Sequence, residues 1–454
     1  MLRTRLASAL AATVVLIPLA AEAGGMYLPT RGVRPTGRAG AFVAGADDLS
    51  SMWFNPAGLA HLARGSFLID AGFVHQAIDY TRIDSGGNPQ PTQRNQAPGL
   101  PVPSLGYARP VGDKIVVAAG LWAPYAGLAK FDADGAQRYS SVDLSKTVIA
   151  TIGLGAAIRL GDRVRLGATL QNHVVAMSSD IVLSGCPGQT VCAPEDPEFD
   201  SLNRIEQTQV FTPSGSIGVQ LDATDKITFG LAAQLPVSVS GQGKLYTRLP
   251  ASGFFDGASV EGDRADISFE LPAAIRAGVE VRPGRWRIEA AVDVELWSRH
   301  EELLIEPKNV RIVGAPGLGT YELGAIHIPR QYQNTFAVQL GVEGQPAAGT
   351  PLTVRAGYAY ETAAAPDQYL SVLTVDGTKH LIAAGLGYRI GAWSVDAVFG
   401  FATMADRHVD PTVGKAPQLN PIRDESEAPL EVFVNWGDYA SSWIVAGAGL
   451  TRSL

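Results

Sequence analysis

The stretch ISFELPAAIRAGVEV, residues 267–281, decides the fold. Its odd positions are Ile267, Phe269, Leu271, Ala273, Ile275, Ala277, Val279 and Val281, and the even positions between them include Ser268, Glu270, Arg276 and Glu280. Extended backbone sends alternate side chains to opposite faces, so this period of two describes a strand with one apolar and one polar face. The next segment repeats the arrangement. Trp286, Ile288, Ala290, Val292, Val294 and Leu296 share one face, and Arg287, Glu289, Asp293 and Glu295 the other. Between 352 and 361, Leu352, Val354, Ala356, Tyr358 and Tyr360 oppose Thr353, Arg355, Gly357 and Glu361. No helical period competes over such stretches.

Alternation alone does not say which face meets water, because a soluble sandwich turns its apolar face inward and a membrane barrel turns it outward. Length decides. Soluble strands average about 5–6 residues, whereas a tilted strand crossing a bilayer needs about 9–11. These runs are of the second kind. Short turns such as Leu160-Gly161-Asp162 and Arg282-Pro283-Gly284 alternate with long polar stretches near 178–206, 247–264, 306–330 and 406–438. That asymmetry belongs to outer-membrane barrels. Fourteen strands are expected, near 66–80, 102–110, 114–131, 146–160, 163–177, 207–221, 226–246, 265–281, 285–304, 331–344, 351–362, 379–390, 392–404 and 439–452. An even count closes an antiparallel barrel. Tyr80, Trp122, Tyr125, Trp297, Tyr360, Trp393 and Trp443 fall near strand ends, where an aromatic girdle would sit.

The composition agrees. The 454 residues contain 46% apolar and only 18% charged residues, with 50 glycines, more than the ~7% typical of soluble domains. A formal charge of -8 gives no positive excess for nucleic acid. Residues 1–23 read as a secretory signal: Arg3 and Arg5 lead an apolar run from Leu6 to Ala20, and Ala21-Glu22-Ala23 is an A-x-A cleavage pattern. The apolar run is shorter than the ~20 residues a spanning helix needs. Residues 24–64 do not alternate. Rich in Gly and Ala and poor in charge, they are too short to fold alone and too apolar to trail in water. They need a container, and the lumen of a barrel this size is one. The domain plan is therefore signal 1–23, an N-terminal hatch 24–64, and a barrel 65–454.

Catalytic and metal signatures are sparse. The seven histidines show no H-E-x-x-H spacing, and no G-x-S-x-G elbow occurs. Asp132-Ala133-Asp134-Gly135 reads as a surface turn, since the glycine and closing Glu of a calcium loop are missing. Gly153, Gly155, Gly385 and Gly387 read as positions that reduce bulk on the lumenal face. Cys186 and Cys192 stand close together in a long polar loop of an exported chain, which suggests a loop disulfide. Pro124 has no N–H for a ladder, so it marks either a kink in a long strand or the loop after a shorter one.

The sequence resembles the FadL/TodX-type outer-membrane transporters of long-chain fatty acids and aromatic hydrocarbons. The resemblance lies in Gly37-Arg38-Ala39-Gly40-Ala41, Ala46-Asp47-Asp48, Ser50-Ser51 and Asn55-Pro56-Ala57-Gly58-Leu59-Ala60. It continues at Gly120-Leu121-Trp122-Ala123-Pro124-Tyr125, the pair 267–297, Arg355-Ala356-Gly357-Tyr358, Pro366-Asp367-Gln368-Tyr369-Leu370, His380 and Gly385-Leu386-Gly387-Tyr388. The resemblance implies an all-β transmembrane antiparallel barrel of about 14 strands with the hatch as a plug in its lumen. Asp47, Asp48, Asn55, Pro56 and Ala57 would belong to the hatch motif, and Gly24, Gly25, Met26 and Tyr27 to the hatch end that meets ligand. Pro124, Tyr125, Ala126 and Gly127 would form the third-strand kink that opens the wall. The chain ends Leu450-Thr451-Arg452-Ser453-Leu454, with Leu where the family has an aromatic, which implies less efficient assembly.

The expected function is passive transport of hydrophobic small molecules, fatty acids or aromatic hydrocarbons, with lateral exit and no enzymatic step. The alternatives are a water-filled porin for polar solutes, against which the apolar segment 24–64 argues, and an adhesin or scaffold barrel. Expected partners are a hydrophobic ligand, outer-membrane lipid, lipopolysaccharide and the barrel assembly machinery. No nucleic acid, cofactor or metal is expected, and the chain is expected to be a monomer.

Overall fold

The computed structural model describes residues 28, 31–188, 191–193, 195–316, 319–422 and 432–454. The signal peptide, and Gly24, Gly25, Met26 and Tyr27 of the hatch end, lie outside the described residues. Fourteen wall strands follow in order. They are β1 Ser66–Arg82, β2 Leu100–Val111, β3 Ile115–Ala126, β4 Val148–Leu160 and β5 Val164–Ser184. Next come β6 (Asp200–Gln209 and Pro213–Thr224), β7 (Ile227–Gln234 and Val237–Arg248) and β8 (Arg264–Leu271 and Ala274–Val281). The wall continues with β9 (Trp286–Glu295 and Glu302–Pro307), β10 (Ile326–Pro329 and Thr335–Gly344) and β11 Leu352–Glu361. It ends with β12 Lys379–Ile390, β13 Trp393–Met404 and β14 Gly437–Ser453.

Each strand pairs antiparallel with its neighbours in the wall, and the barrel closes where β14 returns to β1, from Ser66↔Ser453 to Arg82↔Gly437. Closure removes the edges on which an open sheet would aggregate. Tight turns such as 112–114, 161–163 and 225–226 share one end with Ser66 and Ser453, the periplasmic end in such barrels. Among the described residues no helix is long and apolar enough to cross a membrane.

The opening stretch 267–281 is not one continuous strand. It breaks at Pro272-Ala273, and the break reverses which positions face inward. Below it, Ile275 is 47% exposed toward lipid while Arg276 and Glu280 are buried. Above it, Ile267, Phe269 and Leu271 are buried in the lumen. The same reversal occurs in β7 at Leu235-Pro236, with Phe229 and Leu231 outside below and Val237 and Val239 inside above. Each break falls at a proline, which cannot donate to the ladder and so interrupts it, and β7 and β8 change phase together, in register from Gln234↔Ala274 below to Val237↔Leu271 above. The expectation of a single apolar face over residues 267–281 and a single strand over 226–246 is corrected accordingly. The segment 286–295 keeps its expected faces, with Ile288 and Val292 outward and Glu289, Asp293 and Glu295 inward.

The aromatic girdle expected at seven positions is also corrected. Tyr80, Trp122, Tyr125, Trp297 and Trp443 are buried inside the barrel, Tyr80 stacking on Tyr439 with ring centroids 4.4 Å apart. Tyr360 is half-buried, and only Trp393 of the seven is exposed, joining Tyr107, Tyr246, Tyr358 and Tyr388 on the outer face. Their phase within the strand decides this rather than proximity to a strand end.

Candidate functional site

Residues 31–64 lie inside the barrel. They form two single-turn helices, Val33–Thr36 and Ser51–Phe54, and a 3-10 helix, Pro56–His61, packed on the inner faces of the wall. Phe42, Met52, Trp53 and Leu59 are fully buried there. The helices are too short to be stable alone, so tertiary contacts hold the segment. Asn55 is a central tie: its Nδ2 donates to the Val43 carbonyl (2.9 Å) and to Val219 of β6 (3.1 Å), while its Oδ1 accepts from the Ala57 N–H (3.2 Å). Pro56 occupies the first 3-10 position, where no N–H is required. The wall makes room with glycine: a Cβ at Gly167 or Gly218 would lie 2.3 Å from Pro56 or 2.1 Å from Asn55. Gly155 does the same beneath Leu59 and Met52, and Gly153 makes room for Trp122.

Charge fixes the segment at its lower side. Arg38 donates to Glu280 (3.0 Å) and Glu289 (2.8 Å), all three fully buried. Glu289 also accepts the backbone N–H groups of Val43, Ala44 and Gly45 at 2.7–3.0 Å. Arg34 forks onto Glu343 (2.9 and 2.7 Å) and reaches Asp47 (2.7 Å) and Asp48 (3.0 Å). Arg287 grips Asp47 (2.6 Å) and the Gly45 carbonyl (2.7 Å). Burial alone would raise the Asp47 carboxyl, but the Arg287 and Arg34 guanidiniums outweigh it and hold it well below the carboxylate range. Burial raises Asp48, which has the weaker partnership with Arg34 and the repelling Asp47 beside it. Sequence reading placed Glu280, Glu289, Arg287 and Arg355 on polar strand faces, but nothing in the sequence says which of them meets the segment.

The predicted kink residues gather at a gap in the wall. From Trp122 through Gly127 every residue is buried, so β3 leaves the wall and bends into the lumen. Its ladder to β4 slips between Trp122 and Tyr125, and its ladder to β2 stops at Leu105↔Leu121. Beyond that point Leu100–Ser104 of β2 pair only with β1. The Pro124 carbonyl instead accepts the Leu28 N–H (3.0 Å), which ties the start of the described N-terminal segment to the kink. Gly127 is required by close approach, because a Cβ there would meet the Leu144 carbonyl at 2.2 Å. Two residues missed from sequence are Pro101 and Pro103. With no N–H to give, they leave the even positions to bond β1 and strip donors from the edge that faces the gap. Two prolines at alternate strand positions were the available signal.

Behind the gap lies a small cavity of about 40 Å³ lined by Leu28, Ala126, Gly127, Leu144, Val375 and Trp443, with Arg31, Glu361 and Lys379 at its polar side. A second, of about 50 Å³, continues past Phe54 and Arg276. Below the segment a recess of about 700 Å³ opens at the short-turn end, lined by Arg34, Asp47, Arg287, Glu343, Arg355 and Asp396 among others. Cys186 and Cys192 form a disulfide in the long loop after β5.

A closed fourteen-strand barrel, broken at a kinked strand and filled by its own N-terminal segment, defines an outer-membrane transport barrel. Residues 14–427 match the family described as outer membrane protein transport protein (OMPP1/FadL/TodX), and the chain belongs to it. Members of this family are outer-membrane transporters of hydrophobic compounds, not enzymes. A putative outer membrane protein of Neisseria meningitidis serogroup B is 24% identical over 427 residues, spanning 85% of this chain and 88% of that one. A FadL homologue of Pseudomonas aeruginosa superposes with a TM-score of 0.76 at 18% identity, covering 95% of this chain and all of the other. The toluene transporter TbuX of Ralstonia pickettii gives 0.64 at 15% identity, covering 94% and 99%. At these identities the structural matches speak for the fold.

Proposed function

We propose that the protein carries hydrophobic small molecules, fatty acids or aromatic hydrocarbons, passively from the long-loop side into the barrel, with exit sideways through the gap at Pro124. An alkyl chain prefers apolar surroundings by about 0.8 kcal/mol per CH₂, and the polar lipopolysaccharide layer opposes its direct passage. An apolar lumen opening laterally bypasses that layer. The kink carries this reading: five consecutive buried residues, Trp122–Ala126, abandon the ladder to β2 beside the cavity at Leu28. The charged recess beneath the segment supports it, since an apolar cargo leaving downward would have to cross Arg34, Asp47, Arg287 and Glu343. The N-terminal segment thus acts as a hatch that stays docked, and Gly24 to Tyr27, next along the chain from Leu28, are assigned to the ligand. The chain is taken to act as a monomer.

The test is toluene and oleate uptake by intact cells carrying Pro124→Ala with Gly127→Val. Uptake should fall severalfold while heat-modifiable mobility and membrane abundance stay constant; unaltered uptake rejects lateral exit at this gap. Steady large ion current in planar bilayers would instead favour the porin reading.

A further inference from the structure

The wall has a second interruption, between β6 and β7, on strands the first gap does not use. The lower ladder stops at Ser216↔Gln234 and the upper ladder resumes at Gln207↔Gly243 in the same register. The residues between, 208–215 and 235–242, stand in line to pair but form no ladder with each other. One backbone bond, Leu235 N–H to Gly215 O (2.9 Å), marks the lower rim. Eight missing pairs leave roughly 26 Å of strand unzipped. As at the first gap, prolines stand at its edges: Pro213 on β6 and Pro236 on β7.

Its outer and inner linings differ. Val210 and Phe211 are 68% and 69% exposed on the outside. The outward residues of β7 change at this height from Phe229, Leu231 and Leu235 to Ser238, Ser240 and Gln242. The interruption therefore lies at the border between the outward apolar band and the polar surface above it. Inside, Gln207 is 2% exposed and reaches across to the carbonyls of Gly241 and Ile267, both at 3.1 Å. Gln209 donates to Phe211 O (3.3 Å). With both amide nitrogens committed to carbonyls, the amide orientations are fixed, and the oxygens of Gln207 and Gln209 are buried without partners. The Thr212 hydroxyl and His173 Nε2 are likewise buried and unpartnered, on residues joined by the His173 N–H to Thr212 O bond (2.8 Å). Buried polar atoms left unpaired cost free energy, and this set is dominated by acceptors.

We infer that this interruption is a second lateral portal, selective for uncharged apolar molecules that carry a hydroxyl, such as phenols and long-chain alcohols. The hydroxyl donates to the waiting amide oxygens while the apolar body stays against Val237 and Val239. An ionised carboxylate has no proton to offer and is disfavoured. This inference rests on the hydrophobe-transport reading and adds a cargo class and a route to it.

The probes are toluene and p-cresol, which differ by one hydroxyl, with uptake measured in intact cells expressing the full chain. Thr212→Val with Gln209→Leu keeps side-chain shape and removes two acceptors, and Thr212→Trp obstructs the opening. In either variant p-cresol uptake should fall about fivefold to tenfold with toluene uptake within about twofold, as expected for one or two lost hydrogen bonds. Heat-modifiable mobility shows whether each variant folds, and the Val/Leu pair keeps the test alive if the Trp variant does not. Unchanged p-cresol uptake in a folded variant, or an equal fall for toluene, overturns the portal. Failure of the parent protein to raise toluene uptake would instead count against the transport reading itself.

Discussion

The lower and upper halves of the lumen are built from the same strands and have opposite chemistry. Below the proline breaks the inward positions are Arg276, Glu280, Glu289 and Asp293; Arg276, Glu280 and Glu289, with Arg287 and Glu343, hold the N-terminal segment by ion pairs and hydrogen bonds, and Asp293 pairs with Arg276. Above them the inward positions are Val237, Val239, Ile267, Phe269, Leu271 and Trp297, which form one apolar cluster with Phe42, Trp53 and Tyr439. A shift of one residue per strand separates the two. The lesson is that a barrel can keep an apolar outer band along the bilayer and still expose the apolar phase of the same sequence to its cargo higher up.

The largest expected effect comes from cutting the polar half. Arg38→Leu leaves Glu289 buried without its cation, while Glu280 keeps Arg282 and Arg287, and losing one partner of a buried network costs about 3–5 kcal/mol. Limited proteolysis should then cleave within residues 31–64 while the barrel persists; a protected segment would show that apolar packing alone docks it. Asn55→Ala removes the tie to Val43 and Val219 and should cost about 1–3 kcal/mol, read as faster hydrogen exchange at Ala57.

A smaller effect follows pH. The Asp47 carboxyl is depressed in the folded state, so its contribution is complete above the ordinary Asp value near 3.9 and is lost as pH falls below it. Asp48, shifted upward, works in the opposite sense, but Asp47 with two guanidiniums dominates. Protection of the amides in residues 31–64, taken as exchange relative to the intrinsic rate at each pH, should therefore be constant from pH 7 to 5 and fall toward pH 3; unchanged protection would remove Asp47 from the account. In the apolar half, Leu271→Asp should reduce hydrophobe uptake without loosening the segment, whereas Ile275→Asp, four residues along the same strand, should impair membrane assembly. The smallest change is expected from Cys186→Ser with Cys192→Ser: local loop cleavage rises and uptake stays constant.

The strand count and the outward face of 286–295 were legible in the sequence. Period-two patterning and the family motifs are local signals. The parity reversals at Pro236 and Pro272 were half-legible, since a proline inside a long alternating run announces a break but not how many residues it absorbs. The wall partners of Arg34, Arg38 and Asp47 were not legible, because they are Glu280, Glu289, Arg287 and Glu343, more than two hundred residues away.

By itself the sequence determined that this chain forms a closed barrel of long alternating strands around an apolar N-terminal segment. Side-chain period and strand length are written residue by residue, and backbone geometry leaves them little choice. Tertiary structure alone decided where the wall opens and which charges hold the segment. Both depend on ladder register and on cross-lumen contacts, which exist only once the first and last strands have met.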